Sequence, residues 1–158
     1  MILQRATIED AAEILALQKL AFQCQAELYD DFDMPPMVQT LDGMREDLRE
    51  KLVLKAVIDG EIVGSVRAHA VDGTCHVGRL IVHPHCQNRG LGTQLMEALE
   101  TAFDQVARFE LFTGHKSVRP LHLYRKLGYR IFKRKELRPD YVLVYMEKNI
   151  SQEADPIT

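Results

Sequence analysis

Two Asp-Gly pairs, Asp59-Gly60 and Asp72-Gly73, divide the middle of the chain into three β-runs, LVLKAVI, EIVGSVRAHAV and CHVGRLIVH. Asp-Gly supplies the two positive-φ positions of a type I′ turn, whose twist matches that of the strands it joins. The three runs are therefore expected as an antiparallel meander. The third leads into QNRGLG, residues 87–92, and then into Leu91, Leu95, Leu99, Ala102 and Val106, which recur at helical spacing. RFELFTG follows as another β-run. Strand, helix and strand in that order make a βαβ unit, which requires the strand at 75–83 and RFELFTG to run parallel.

The flanks add simpler elements. Thr7 followed by Asp10 has the form of a capping box, and the spacing predicts a helix over residues 8 to about 25, after a short strand at 3–6. Pro35-Pro36 excludes a helix interior at that point, so a second helix is expected over about 41–50. A short helix over 118–127 should end at Gly128 in a left-handed cap, and YRIFKRKEL and YVLVYMEK close the chain as two β-runs around Pro139-Asp140. The expectation is one α+β domain over residues 1–150, with a mixed, mostly antiparallel sheet of about seven strands and about four helices, and a frayed tail at 151–158.

A chain of 158 residues, 46% of them hydrophobic, is of one-domain size. A net charge of −3 gives no support for nucleic-acid binding. Cys24, Cys75 and Cys86 are odd in number and form no CxxC pair, as expected of free thiols in a reducing compartment. The N-terminus has no leader pattern and no apolar run is long enough to span a bilayer, so a cytoplasmic protein with no membrane partner is expected. His83-Pro84-His85 has no further ligand at metal-binding spacing, and no metal is expected. Charge is nonetheless uneven. Residues 27–50 carry eight acids against two arginines, whereas residues 115–138 carry nine Lys or Arg against Glu136 alone. Two solvated faces would explain this, as would a protein that handles an anion at one end and a cation at the other.

QNRGLG is where an anion is best accommodated. A turn leading directly into a helix presents N–H groups that lack intrahelical partners, at the positive end of the helix dipole. Gly90 and Gly92 allow close approach to the backbone, Thr93 adds a hydroxyl and Arg89 a charge. No Gly-Lys-Ser/Thr follows, so this is not a P-loop, and the three-glycine dinucleotide spacing is absent. LIVHPHCQNRGLGTQLMEALE resembles the acetyl-CoA-binding motif of the GNAT superfamily of N-acetyltransferases, Gln/Arg-x-x-Gly-x-Gly/Ala, with Gln87, Gly90 and Gly92 at the defining positions. SVRPLHLYRKLGYR is similar to the family's second motif, ending here in Leu123-Tyr124-Arg125-Lys126-Leu127-Gly128-Tyr129. Element order across the chain agrees with that family as well.

The resemblance implies that Gln87, Asn88, Arg89, Gly90, Leu91, Gly92 and Thr93 cradle the pyrophosphate of acetyl-CoA through main-chain amides. It implies that Leu80, Ile81 and Val82 pair their backbone with the pantetheine arm, in a slot where the two parallel strands splay apart. Two positions depart from the family's usual pattern: Ser117 stands where Asn is common, and Pro120 where Ala is common. Serine retains a hydroxyl for the pantetheine, and proline suits the first turn of a helix.

Acetyl transfer to an amine requires a neutral nucleophile, a stabilised oxyanion and a proton for the departing thiolate. An ordinary primary amine is only about 0.04% neutral at pH 7, so a base or a water relay is needed. By the resemblance, Tyr124 is the acid that protonates the CoA sulfur; aromatic packing is its structural alternative. The family often places its base as a carboxylate on the strand before the phosphate turn, but CHVGRLIVH has none. Glu110, among apolar residues in RFELFTG, and Glu27, in the segment that would roof the acceptor site, are the carboxylate candidates, with His76 and His115 behind them. An arginine partner for Glu110, or a water with no single base, stays open.

The expected activity is N-acetylation of a primary amine, on a small cationic molecule, by direct attack through a tetrahedral intermediate. The acidic segment 27–50 motivates the cationic acceptor. The alternatives are a peptide or protein N-acetyltransferase and a non-catalytic acyl-CoA-binding sensor module. Dimers are common in the family, and a homodimer is an expectation on that ground alone.

Overall fold

The computed structural model describes residues 1–150; the tail expected at 151–158 lies outside the described residues. Seven strands are present: β1 (Ile2–Arg5), β2 (Leu52–Ile58), β3 (Glu61–Val71), β4 (Thr74–Val82), β5 (Arg108–Gly114), β6 (Arg130–Arg138) and β7 (Tyr141–Asn149). The helices are α1 (Ala11–Tyr29), α2 (Pro35–Val38), α3 (Leu41–Glu50), α4 (Leu91–Ala102) and α5 (Val118–Lys126). The strands form one sheet in the order β1-β2-β3-β4-β5-β7-β6. The β4–β5 pair is parallel, with Thr74 opposite Arg108, Cys75 opposite Phe109 and His76 opposite Glu110. The expected α+β architecture, seven strands and parallel pair are all present.

Both Asp-Gly turns have the predicted backbone, with φ of 51° and 79° at Asp59-Gly60 and 50° and 81° at Asp72-Gly73. Thr7 N–H donates to Asp10 Oδ2 at 2.8 Å, as a capping box requires, though the residues it opens form a 3-10 turn before α1 begins. Three boundaries differ from expectation. Among the described residues there are five helices rather than about four, because Pro35-Pro36, which excludes a helix interior, stands in the first turn of a short extra helix. Proline lacks only an N–H that the first helical turn leaves unpaired in any case. Helix α1 runs on to Tyr29, ending at Asp30 in the left-handed region. Val106 lies beyond the end of α4 and belongs to no helix.

The chain divides into two compact units. One comprises Met1–His69 and Gly78–Ala102, the other Ala70–Val77 and the described residues from Phe103. In the first, Ile14 and Leu17 of α1, Met44 and Leu48 of α3, Val53, Ile62 and Ile81 form one apolar cluster. Helix α4 buries Leu91, Leu95, Met96 and Leu99, its i, i+4, i+5, i+8 face. In the second, Phe109, Leu111, Val144 and Met146 of the paired β5 and β7 are buried, as are Tyr124, Tyr129 and Cys75. No helix among the described residues is long and apolar enough to cross a membrane.

Candidate active site

The QNRGLG turn is built as its composition suggests. After a 3-10 turn at Pro84–Cys86, Asn88 takes φ 65° and Gly90 takes φ 77°, and α4 begins at Leu91. Gly90 C=O accepts the N–H of Gln94 at 3.1 Å, which is the first bond of the helix. The N–H groups of Leu91, Gly92 and Thr93 therefore have no helical partner, and they meet the dipole's positive end. A Cβ on Gly90 would have nothing within 4 Å, so glycine is needed here for its positive φ and not for space. Gln87, Asn88, Arg89 and Gly90 are exposed, which leaves the turn open to a ligand. The donor set fits a pyrophosphate.

The strand that feeds this turn is anchored on β3. His83 N–H donates to Val63 C=O at 2.7 Å, and Ile81 is buried while Leu80 and Val82 are half-buried. A Cβ at Gly64 of β3 would stand 3.0 Å from Leu95 Cδ1 and 3.2 Å from Ile81 C=O. Helix α4 can therefore lie this close to the sheet only because position 64 has no side chain.

In the second unit, Tyr124 is on α5 with 8% of its surface exposed, its ring 5.9 Å from that of Tyr129. Its backbone carbonyl accepts the N–H groups of Leu127 and Tyr129, and Gly128 takes φ 99°, the expected left-handed cap. Burial pushes the Tyr124 phenol well above its ordinary value, so it stays protonated. No hydrogen bond from its hydroxyl is found among the described residues. Ser117 precedes α5 and is buried, with its C=O accepting from Leu121 N–H at 3.0 Å.

The candidate bases are placed less favourably. Glu110 Oε1 accepts from Arg108 Nη1 at 2.9 Å, and Arg108 also pairs with Glu147 at 3.1 Å, which makes Glu110 part of a cross-strand ion-pair network. His76 Nδ1 lies 3.8 Å from Glu110 Oε2. Glu27 is exposed near the end of α1 and accepts from Gln23 at 3.2 Å. His115 Nδ1 accepts the N–H of Val142 at 3.1 Å, so that lone pair is already occupied.

A match to the Acetyltransferase (GNAT) family spans residues 12–129, three quarters of the chain and both motifs. The chain belongs to the GNAT acetyltransferase family. That membership makes it an acetyl-CoA-dependent N-acetyltransferase. Solved structures agree on the fold. A GNAT-family acetyltransferase from Streptococcus pneumoniae matches with 22% identity and a TM-score of 0.75, over 95% of this chain and 99% of that one. The ribosomal-protein-S18-alanine N-acetyltransferase of Escherichia coli matches with 15% identity and a TM-score of 0.79, over 98% and 96%. YncA from Salmonella typhimurium, solved with its cofactor acetyl-CoA, matches with 19% identity and a TM-score of 0.76, over 99% and 97%. A search of the curated proteins found no match.

The sequence pointed past one polar cluster in this GNAT domain. In the first unit, Asp47 of α3 accepts from Gln39 Nε2 at 2.6 Å and from Lys51 at 3.1 Å, and it also pairs with Arg67 of β3. Gln39 Oε1 in turn accepts from Gln18 of α1 and from Arg79 of β4, both at 2.9 Å. The only linear signal was an arginine in each of two apolar strands, Arg67 and Arg79.

Proposed function

We propose that this enzyme transfers the acetyl group of acetyl-CoA to a primary amine by direct attack, without an acyl-enzyme. The observation that carries the reading is the Gly90-led N-terminus of α4, with three free N–H groups, within a matched GNAT domain. Leu91, Gly92 and Thr93 would hold the pyrophosphate, with Asn88 and Arg89 beside it, and the backbone of Leu80, Ile81 and Val82 would pair with the pantetheine arm. Acetyl-CoA supplies the thioester; the protein supplies position, a donor for the oxyanion from the β4 backbone, and a donor for the sulfur.

Tyr124 is the proposed sulfur donor, with Ser117 as a positioning contact nearby in sequence. A phenol held above its ordinary value of about 10 keeps its proton more tightly than a thiol with a value of about 8.5. Its contribution is therefore a hydrogen bond to the sulfur as charge develops there. A tyrosine at this position also weighs against a silent sensor, which has no use for a donor there. For the base, Glu110 is better explained by its ion pair with Arg108, and Glu27 is free to meet solvent. A water relay that takes the proton from the incoming ammonium needs neither. The acidic surplus of 27–50 favours an acceptor that arrives as a cation.

The test is continuous detection of thiol release from acetyl-CoA against polyamines, amino sugars, amino acids and short peptides, with acetyl-CoA binding followed by calorimetry. Amine-dependent release is expected. Tight binding with no release from any amine would point to the sensor, and no binding would overturn the reading.

A further inference from the structure

Six residues of the described chain other than glycine have positive φ, and five of them are Asp or Asn at turns or a helix end: Asp30, Asp59, Asp72, Asn88 and Asp140. The sixth is Arg79, at φ 51° inside β4. Asp and Asn visit the left-handed region with local side-chain hydrogen bonds; an arginine has no such compensation. A left-handed residue in a strand interior bends the strand and re-aims the side chain, a device concentrated at functional sites. Arg79 also directly precedes Leu80–Val82, the segment proposed to pair with the pantetheine.

The re-aimed guanidinium reaches Gln39 Oε1 at 2.9 Å, a neutral acceptor already shared with Gln18. Among the described residues no carboxylate lies within ion-pair distance of it. The nearest anion in the network is Asp47, and both of its oxygens are engaged by Arg67, Lys51 and Gln39. Two cations, Arg67 and Lys51, thus pair with one carboxylate, and Arg79 joins that pair only through the amide of Gln39. Burial and then the repulsion of Arg67 push the Arg79 value down to about 10. A half-buried cation beside another, with a single hydrogen bond, that to Gln39, among the described residues, is costly to keep unless an anion completes it. Gly78 leaves room there, since a Cβ at that position would meet only Arg67 Nε, 3.9 Å away.

We propose that Arg79, supported by Arg67 and oriented by Gln39, binds a carboxylate of the acceptor, so that the acetylated amine belongs to an amino acid or a similar small amino carboxylate. This rests on the acetyltransferase reading and narrows it. The planar guanidinium fork matches a carboxylate in two parallel hydrogen bonds, which also fixes the amine's orientation. The acidic surplus of 27–50 then suits the ammonium end of the same zwitterion.

The experiment compares kcat/KM for matched acceptors: an amino acid, its C-terminal amide, the decarboxylated amine and an aminoalkyl phosphate. The wild-type enzyme should prefer the carboxylate form by about 10- to 100-fold, the range for a charged hydrogen-bonded contact. Arg79→Gln should bring that ratio to within about threefold, and Arg79→Lys should fall between. Equal use of acid and amide by the wild type, or a preference that survives Arg79→Gln, overturns the proposal. A phosphate preferred over the carboxylate overturns the carboxylate assignment. Melting temperature and acetyl-CoA affinity of each variant control for folding and for the cosubstrate site. If acetyl-CoA fails to bind, the acetyltransferase reading itself is at fault. The carboxylate site is then judged by calorimetric titration of an N-acetylated amino acid against its amide. Carboxylate-dependent binding lost in Arg79→Gln supports the site, and no such dependence overturns it.

Discussion

Asp47 and Arg67 form an ion pair between α3 and β3 in which both side chains are mostly covered, at 13% and 17% exposure. Burial works against ionisation of Asp47, but the hydrogen bond from Gln39 and the charges of Arg67 and Lys51 outweigh it and hold its carboxyl below its ordinary value. A carboxylate whose folded value is depressed stabilises the fold above its unfolded value, and the contribution is lost as pH falls through the folded one. Asp47→Asn should therefore cost about 1–3 kcal/mol near neutral pH, the range for hydrogen bonds to charged groups. The gap between wild type and variant should start to narrow as pH falls below about 4 and close only beneath the depressed folded value. Urea unfolding of both proteins at neutral and acid pH checks this; a gap independent of pH would mean that lost packing, not charge, accounts for the cost.

The elements that could be foreseen are those in which local chemistry and pattern agree. Asp59-Gly60 and Asp72-Gly73 dictate their turns through φ alone, and Leu91, Leu95 and Leu99 mark the face of α4 by spacing. QNRGLG could be foreseen for the same reason, because Gly90 is needed where α4 starts. The Arg79 network could not. Its members come from α1, the α2–α3 connection, α3, β3 and β4, and only folding brings Gln18, Gln39, Asp47, Arg67 and Arg79 together. Helix α2 could not be foreseen for a related reason: Pro35-Pro36 excludes a helix interior, but whether a helix starts at such a pair depends on the backbone before it.

Gly90 offers a clean test of the anion site because its two possible roles separate. Nothing crowds a Cβ there, so Gly90→Ala pays only for its left-handed backbone, about 1–2 kcal/mol. That strain is relieved if the turn opens, and opening would misdirect the N–H groups of Leu91 and Gly92. Acetyl-CoA should bind roughly 10-fold more weakly, while Gly90→Asn, which tolerates the left-handed region, should lose less. Calorimetric titration of the three proteins with acetyl-CoA decides it, and equal affinities would show that the turn is not the clamp.

Gly64 connects core packing to the same site. Gly64→Val would drive a side chain against Leu95 Cδ1 and the carbonyl of Ile81, and only the leucine is a side chain that can move aside. Overpacking of this kind costs about 1–3 kcal/mol. The displaced carbonyl belongs to the segment proposed to pair with pantetheine, so acetyl-CoA affinity should fall along with stability. Denaturant unfolding and calorimetry, read together, separate the two. A destabilised protein with unaltered affinity would place the pantetheine elsewhere.

Tyr124→Phe keeps the ring that packs against Tyr129 and removes only the hydroxyl, which has no partner to lose among the described residues. Stability should therefore change by less than about 1 kcal/mol, since no hydrogen bond is broken. Turnover should fall by about 10²- to 10³-fold, the cost of deleting a single donor aimed at developing charge. Because burial raises the phenol, its ionisation cannot produce a loss of activity anywhere below its ordinary value of about 10. The variant and the wild type should then share the same pH profile over that range, differing in height alone. Steady-state kinetics from neutral to mildly alkaline pH measure both quantities. Unchanged turnover would reduce Tyr124 to a packing residue, and an alkaline limb near pH 8 that vanishes in the variant would show a phenol far more acidic than its burial permits.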